Sequence, residues 1–350
     1  MKKSVISYLL ILAASLMMGC SKPEGQLPDW PWNDPETEKP EVPVIPPEEE
    51  SREWKDVSDE FGELPVHIRI WKSPSELQGK KALAYIADAN LSEAGVDLWS
   101  IDVPDMQGTE EKLMTPDEIW EKENSPVIIN AGFFYSSDGK NYSSSLALRN
   151  SEYMAYNINY ASEDWIVMYY PTRAAFLKDK EGKYKTWWTY YNGNDKKNYI
   201  YAEPAENSWG ADPLAVPTTD FPVKAESLEP VWGIGGGPVL IKDGKIWNST
   251  AAELFNGKNG IMPDGNHPRT AVGVTAGNHI LFFVCEGRNK DKGIAGLTTG
   301  DVAEIMKERG CIEAMNLDGG GSSCMLVNGK ETIKPSDGKQ RRVGSTLMIR

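Results

Sequence analysis

The sequence predicts an α+β fold: a mixed, mainly antiparallel β-sheet core with a βαβ unit near the C-terminus and few helices. Three observations predict it. From about residue 64, strand-like apolar runs alternate with turn residues, at 66–71, 82–87, 127–130, 239–247, 271–286 and 312–317. Asp243-Gly244 falls between 239–242 and 245–247, and Asn328-Gly329 follows 324–327, where a tight hairpin turn favours residues that tolerate positive φ. One helix stands out: Thr298 with Asp301 three residues on resembles a capping box, Val302, Ile305 and Met306 share a face, and Gly310 ends the run. Strand 279–286, that helix and strand 312–317 make a right-handed βαβ unit with parallel strands, which places Glu286 and Asp318 at one edge of the sheet.

Taken in order, the chain begins with Lys2 and Lys3, an apolar run from Val5 to Met18, and then Gly19-Cys20-Ser21. That is a basic start, an apolar stretch of secretory length and a small residue before cysteine, which resembles a bacterial lipoprotein signal, although Met17 and Met18 are not its usual small residues. Residues 1–19 are expected to be removed, and Cys20 to carry lipid. Residues 21–63 hold 14 acidic and 4 basic side chains and eight of the 23 prolines. Such a stretch buries too little apolar area to offset its chain entropy and favours extended conformers, so 20–63 reads as an acidic, Pro-rich spacer ahead of a folded domain at 64–350. An exported lipoprotein at the periplasmic or cell-surface face of the outer membrane follows, with the lipid anchor as its contact with the membrane.

The formal charge of -14 argues against nucleic acid as a partner, because phosphate-backbone binding draws on clustered Lys and Arg. Beyond Cys20, three cysteines remain, Cys285, Cys311 and Cys324, with no Cys-x-x-Cys pair, so they read as small buried hydrophobes rather than a zinc site or disulfide framework. His67 and His279 lie in strand-like surroundings and read as core histidines. Residues 151–230 form an aromatic-rich insertion: ten of the 14 tyrosines fall between Tyr153 and Tyr201, with Trp165, Trp187, Trp188 and Trp209 nearby. These rings suit either a wall of a carbohydrate cleft or the core of an all-β elaboration.

Three polar constellations fall at strand ends or sharp turns. Asn130-Ala131-Gly132-Phe133-Phe134 follows a buried strand and brings a side-chain amide to the sheet edge. Gly235-Gly236-Gly237-Pro238 lets the main chain approach a ligand closely and can turn N–H groups inward as an anion nest. Leu317-Asp318-Gly319-Gly320-Gly321-Ser322-Ser323 joins a carboxylate, a backbone nest and two hydroxyls at the end of the βαβ unit. If Gly277-Asn278 is a two-residue turn, Arg269 pairs across the strands with Glu286 and Thr270 with Cys285. Arg269, Glu286, Arg288, Asn130 and Asp318 then converge on one rim.

Together with His267-Pro268-Arg269-Thr270 and Glu286-Gly287-Arg288, these motifs resemble the phosphodiester glycosidase family from about residue 127 to the C-terminus. Two departures are the Glu at 286, where the family pattern favours Asp, and the Ala at 131, where it favours Gly. The resemblance implies hydrolysis of the glycosidic C–O bond of a sugar-1-phosphodiester, of the N-acetylglucosamine-1-phosphodiester kind. Asp318 and Glu286 are then the catalytic pair. Arg269, Arg288 and the glycines 235–237 and 319–321 are candidates for a phosphate clamp, and Asn130, Gly132, Thr270, Ser322 and Ser323 for further substrate contacts. Phosphate oxygens beside Asp318 would also suit a hard divalent cation, calcium or magnesium. Two rivals stay open: a glycan-binding lipoprotein without catalysis, and a phosphodiesterase that breaks the P–O bond instead.

Overall fold

The computed structural model describes residues 53–350 apart from Asp105, Asn248 and Asn259. The expected signal peptide, Cys20 and most of the spacer lie outside the described residues. The spacer's last residues are folded: Lys55–Asp56 pairs with Ile68–Lys72, and Val57 and Phe61 are buried in the main core.

Three antiparallel sheets dominate. The first runs in the order Lys55–Asp56, Ile68–Lys72, Ala84–Asn90, His279–Cys285, Arg269–Thr275, Cys311–Asn316, Val239–Lys242, Lys245–Ile246. The second contains Glu152–Ala155, Ala147–Arg149, Trp232–Gly235, Arg173–Lys178, Tyr184–Asn192 and Lys197–Tyr201, in that order. The third runs Lys330–Glu331, Met325–Val327, Val127–Asn130, Ser345–Ile349, Val96–Ser100. The fold is α+β and mainly antiparallel, with two α-helices among the described residues, α1 (Pro116–Glu123) and α2 (Thr299–Glu308).

Side-chain alternation explains how the sheets pack. In His279–Cys285, Ile280, Phe282 and Val284 enter a core shared by all three sheets, while Leu281, Phe283 and Cys285 face α2 through Val302, Ile305 and Met306. A strand covered on both faces reads as a continuous apolar run, as this one does. The capping box of α2 is present, Thr298 with Asp301, and Gly310 follows it at positive φ. Helix α1 carries the same device, with Thr115, Glu118 and a Pro at its first turn. Both predicted hairpins form, pairing Lys242 with Lys245 and Val327 with Lys330.

The expected βαβ unit is present: His279–Cys285 and Cys311–Asn316 are parallel and α2 connects them, with Arg269–Thr275 lying between the two strands. One expectation, the hairpin register, is corrected. The 275–279 turn is one residue longer than expected, with Asn278 at positive φ, and it pairs Arg269 with Cys285 and Thr270 with Val284. A one-residue slip moves a side chain to the other face of the sheet. Arg269 and Glu286 therefore do not meet.

The aromatic segment supplies strands to the second sheet. Trp188 and Tyr201 are fully buried and Tyr184 and Tyr190 nearly so, which makes much of it core. Cys285, Cys311 and Cys324 are free and buried. His279 pairs with Asp88 at 2.6 Å and His67 lies 3.9 Å from Glu93.

Candidate active site

Asp318 stands where the first and third sheets join. Its main-chain N–H donates to the Ala131 carbonyl at 2.8 Å, and its carbonyl accepts from Asn130 Nδ2 at 2.6 Å. Asn130 Oδ1 in turn accepts from Thr270 Oγ1 at 2.8 Å and from the Cys324 N–H at 3.1 Å. Asn130 is fully buried and spends its amide on three chain segments, so it fixes the aspartate rather than facing a ligand. Thr270, Ser323 and Gly132 belong to the same buried joint: Thr270 reaches Ser323 at 3.2 Å, and the Gly132 N–H donates to Ser345 Oγ at 2.9 Å.

The Asp318 carboxyl lines a cavity of about 230 Å³ with Phe133, His267, Arg269, Arg288, Arg341 and Gly319–Gly321. Burial pushes its pKa up to about 6, against the opposing pull of the Ser322 hydroxyl, the Gly319 N–H and the Arg341 charge. It is the one carboxylate lining this cavity among the described residues. A divalent cation beside Asp318 would need its other ligands from main-chain carbonyls and substrate oxygens, since no group of three His, Cys, Asp or Glu side chains among the described residues is arranged to hold a metal.

The glycines after Asp318 make room for cations. A Cβ on Gly320, which has φ +61°, would sit 3.2 Å from Arg288 Nη2, and one on Gly321 would meet Arg341 Nη2 at 2.0 Å. The two guanidiniums thus lie against the turn that carries the carboxylate. Arg288 Nε donates to His267 Nδ1 at 3.3 Å, which leaves the imidazole proton on Nε2. Burial, then Arg269 and Arg288, holds the His267 pKa below its ordinary value, so the ring is neutral. Arg341 is braced by Asp337 at 2.6 Å.

Other residues expected at this rim have different surroundings. Arg269 lines the cavity, but its guanidinium is buried and donates to four carbonyls, those of Leu297, Ile261, Met262 and Gly265. Burial lowers its pKa to about 10. Its work is to pin the 261–265 loop over the cavity. Glu286 is buried, does not line this cavity, and accepts from Asn289 Nδ2 and from the Lys334 N–H at 3.0 Å. The N–H groups of Gly235, Gly236 and Gly237 donate to the carbonyls of Leu146, Ala174 and Asn316, so they form no anion nest.

Sequence reasoning missed Phe133 and Arg341 as cavity residues, and His267 as more than part of a motif. His267 carried a signal, since it directly precedes Pro268-Arg269; nothing local marks Arg341. A larger cleft of about 680 Å³ adjoins the cavity through Phe133, Gly260 and Ile261, and its walls include Tyr135, Tyr160, Trp165, Trp209 and Phe255. At its edge Arg173 is buried, with its guanidinium 4.5 Å over the Phe255 ring and Nη1 donating to the Glu253 carbonyl.

Comparison with known proteins places this arrangement. The family model described as phosphodiester glycosidase matches residues 123–350. An uncharacterised SPbeta prophage-derived protein of Bacillus subtilis is 39% identical over 83 residues, 24% of this chain and 13% of that protein. The mouse N-acetylglucosamine-1-phosphodiester alpha-N-acetylglucosaminidase is 35% identical over 69 residues, 20% of this chain and 13% of the enzyme. The chain thus matches a small part of these relatives' own length. The solved catalytic domain of the zebrafish N-acetylglucosamine-1-phosphodiester alpha-N-acetylglucosaminidase, described as auto-inhibited by its pro-peptide, shares the fold. Its TM-score is 0.51 at 19% identity, covering 85% of this chain and 87% of that one. A hypothetical protein from Synechocystis aligns with TM-score 0.51 at 16% identity over 81% of this chain and 62% of its own. Because the family match covers well over half of the sequence and includes every residue lining the Asp318 cavity, the chain belongs to the phosphodiester glycosidase family.

Proposed function

We propose that this protein hydrolyses the glycosidic C–O bond of a sugar-1-phosphodiester, with Asp318 acting at the anomeric carbon and Arg288 and Arg341 holding the phosphate. One observation carries the reading: a carboxyl with a pKa raised to about 6 shares a small cavity with two exposed guanidiniums. Perturbed titration beside fixed cations in a cleft suits catalysis better than structure.

Glycoside hydrolysis usually uses two carboxyl groups, one of which protonates the leaving oxygen. A phosphate leaving group is a stabilised anion and needs no such proton. Guanidinium groups that tighten as negative charge develops replace the acid, which fits a cavity with a single carboxylate among the described residues. As C1–O breaks, its electron pair goes to the phosphate oxygen. Asp318 either takes a proton from the water that bonds to C1 or bonds to C1 itself before water releases it. His267, neutral and bonded to Arg288, positions that guanidinium. The aromatic cleft next door supplies ring faces for the sugar.

Hydrolysis in oxygen-18 water tests the bond that breaks. Label in the sugar's anomeric hydroxyl is expected; label in the phosphate would replace this reading with phosphoryl transfer. The leader-like segment and Cys20 support an exported, lipid-anchored protein, a proposal that mass analysis of the mature N-terminal peptide checks.

A further inference from the structure

We propose that the hollow on the far side of Arg288 is a second anion subsite, so that the preferred substrate carries a further phosphate on its aglycone, as the next unit of a phosphodiester-linked glycan would. The proposal rests on the reading of the Asp318 cavity as the place where the bond breaks. The hollow is about 240 Å³ and is lined by Arg288, Asn289, Lys290, Lys334 and Ser336, with Asp291 its one carboxylate among the described residues. Arg288 lines both this hollow and the Asp318 cavity. A guanidinium has five N–H donors in a planar fork, enough to serve an anion on either side.

The charge pattern is local and against the trend of the chain. Segments 287–292 and 334–342 contain seven Lys or Arg and two Asp, within a protein of formal charge -14. Arg341 and Arg342 are paired with Asp337 and Glu118, and Lys292 leans toward Glu286 at 3.9 Å. Arg288, Lys290, Lys334 and Lys339 are exposed and have no ion-pair partner among the described residues. Ser336 Oγ is buried without a hydrogen-bond partner.

Glu286 explains why these loops stay together. Buried beneath both, its carboxylate accepts from Asn289 Nδ2 on one and from the Lys334 N–H on the other. Loops tied to each other before the ligand arrives cost less to order on binding than free loops do. The aromatic cleft adjoins the other side of the Asp318 cavity through Phe133, which assigns a direction: sugar toward the aromatic rings, phosphate at Arg288 and Arg341, anionic aglycone toward Lys290 and Lys334.

The test compares two sugar-1-phosphodiesters that differ in one respect, an aglycone ending in a hydroxyl or in a phosphate monoester. The wild-type protein is expected to show a KM about tenfold lower for the phosphorylated aglycone, an advantage that shrinks as salt is raised. The double variant Lys290→Glu/Lys334→Glu is expected to lose that advantage while keeping kcat on the neutral diester. Equal KM values for the two diesters would overturn the proposal. Calorimetric binding of a sugar-phosphate oligomer to Asp318→Asn gives a readout free of turnover, and the two lysine substitutions should abolish the added affinity. If wild type cleaves neither diester, the hydrolase reading falls, and the oligomer titration alone decides the subsite. Binding to anionic phospholipid vesicles in place of the oligomer, lost on the same substitutions, would overturn it in favour of a membrane surface.

Discussion

Two runs of three glycines, Gly235–Gly237 and Gly319–Gly321, look interchangeable in composition and do different things in the fold. In the first, each N–H donates to a main-chain carbonyl, and the space each Cβ would take holds Asn157 and Leu146, Asn316 and Met315, or Phe255 and Glu253. That run lets the sheets approach each other. In the second, the missing side chains of Gly320 and Gly321 leave room for Arg288 and for the Arg341–Asp337 pair, while the Gly319 N–H donates to Asp318 Oδ1 at 2.8 Å. A glycine run signals close approach; only the partner says whether the approach is packing or chemistry.

The sharpest test of that division is at Asp318. Asp318→Asn should lower kcat/KM by about a thousandfold, within the range for loss of a general base or nucleophile, measured on any diester the wild type cleaves. Wild-type kcat/KM should fall roughly tenfold per unit of pH below about 6, as the carboxyl protonates. Stability should move the other way. A carboxyl whose pKa is raised by folding binds more protons in the native state, so its contribution to stability is present below about 4 and lost as pH rises to about 6. Asp318→Asn removes that cost, and its unfolding free energy at pH 7–8 should exceed that of wild type by about 1–3 kcal/mol, the gain shrinking as pH falls from about 6 and vanishing below about 4. A variant inactive but no more stable at pH 7 would show that the site holds the ionised carboxylate without strain.

The glycine runs themselves come next. Gly236→Ala places a Cβ 2.5 Å from the Asn316 carbonyl, which is backbone and cannot give way, so it should cost about 1–3 kcal/mol of stability. Gly321→Ala meets the ends of Arg341 and Asp337 instead, which can swing aside. Its stability should change little, while KM for the diester rises about tenfold as Arg341 leaves the phosphate. Urea denaturation and steady-state kinetics on the same two variants separate the cases. Equal stability losses would erase the contrast between the runs.

How much of this was legible depends on whether the signal was local. The strand at Val127–Asn130, the two hairpins and α2 follow from alternation, turn residues and a capping box within a few positions of one another. Asp318 and Arg288 were legible as a carboxylate and a cation beside glycines at strand ends. The register of the Arg269–Thr275 hairpin was not, because a single residue at positive φ, Asn278, lengthens the turn and no other residue in the loop announces it. That slip decides the fate of Glu286. The inward turn of Asn130, whose amide ties Thr270, Cys324 and Asp318 together, depends on three segments more than 100 residues away, and Arg341 reaches the site only because Ser345–Ile349 pairs with Val127–Asn130.

The smallest effect expected is at Glu286, where motif reading and geometry disagree most. If Glu286 acted on substrate, Glu286→Gln would lose activity on the scale of Asp318→Asn. As a buried acceptor for Asn289 and Lys334, it should instead cost about 1–2 kcal/mol of stability through a weakened hydrogen bond. Turnover of a neutral diester should fall no more than a fewfold, because the carboxylate lies outside the Asp318 cavity. The pH dependence separates the readings independently of magnitude. The acid limb near 6 belongs to Asp318 and should be unchanged in Glu286→Gln; a limb that moved or vanished would return Glu286 to the reacting atoms and make the site a carboxylate pair after all.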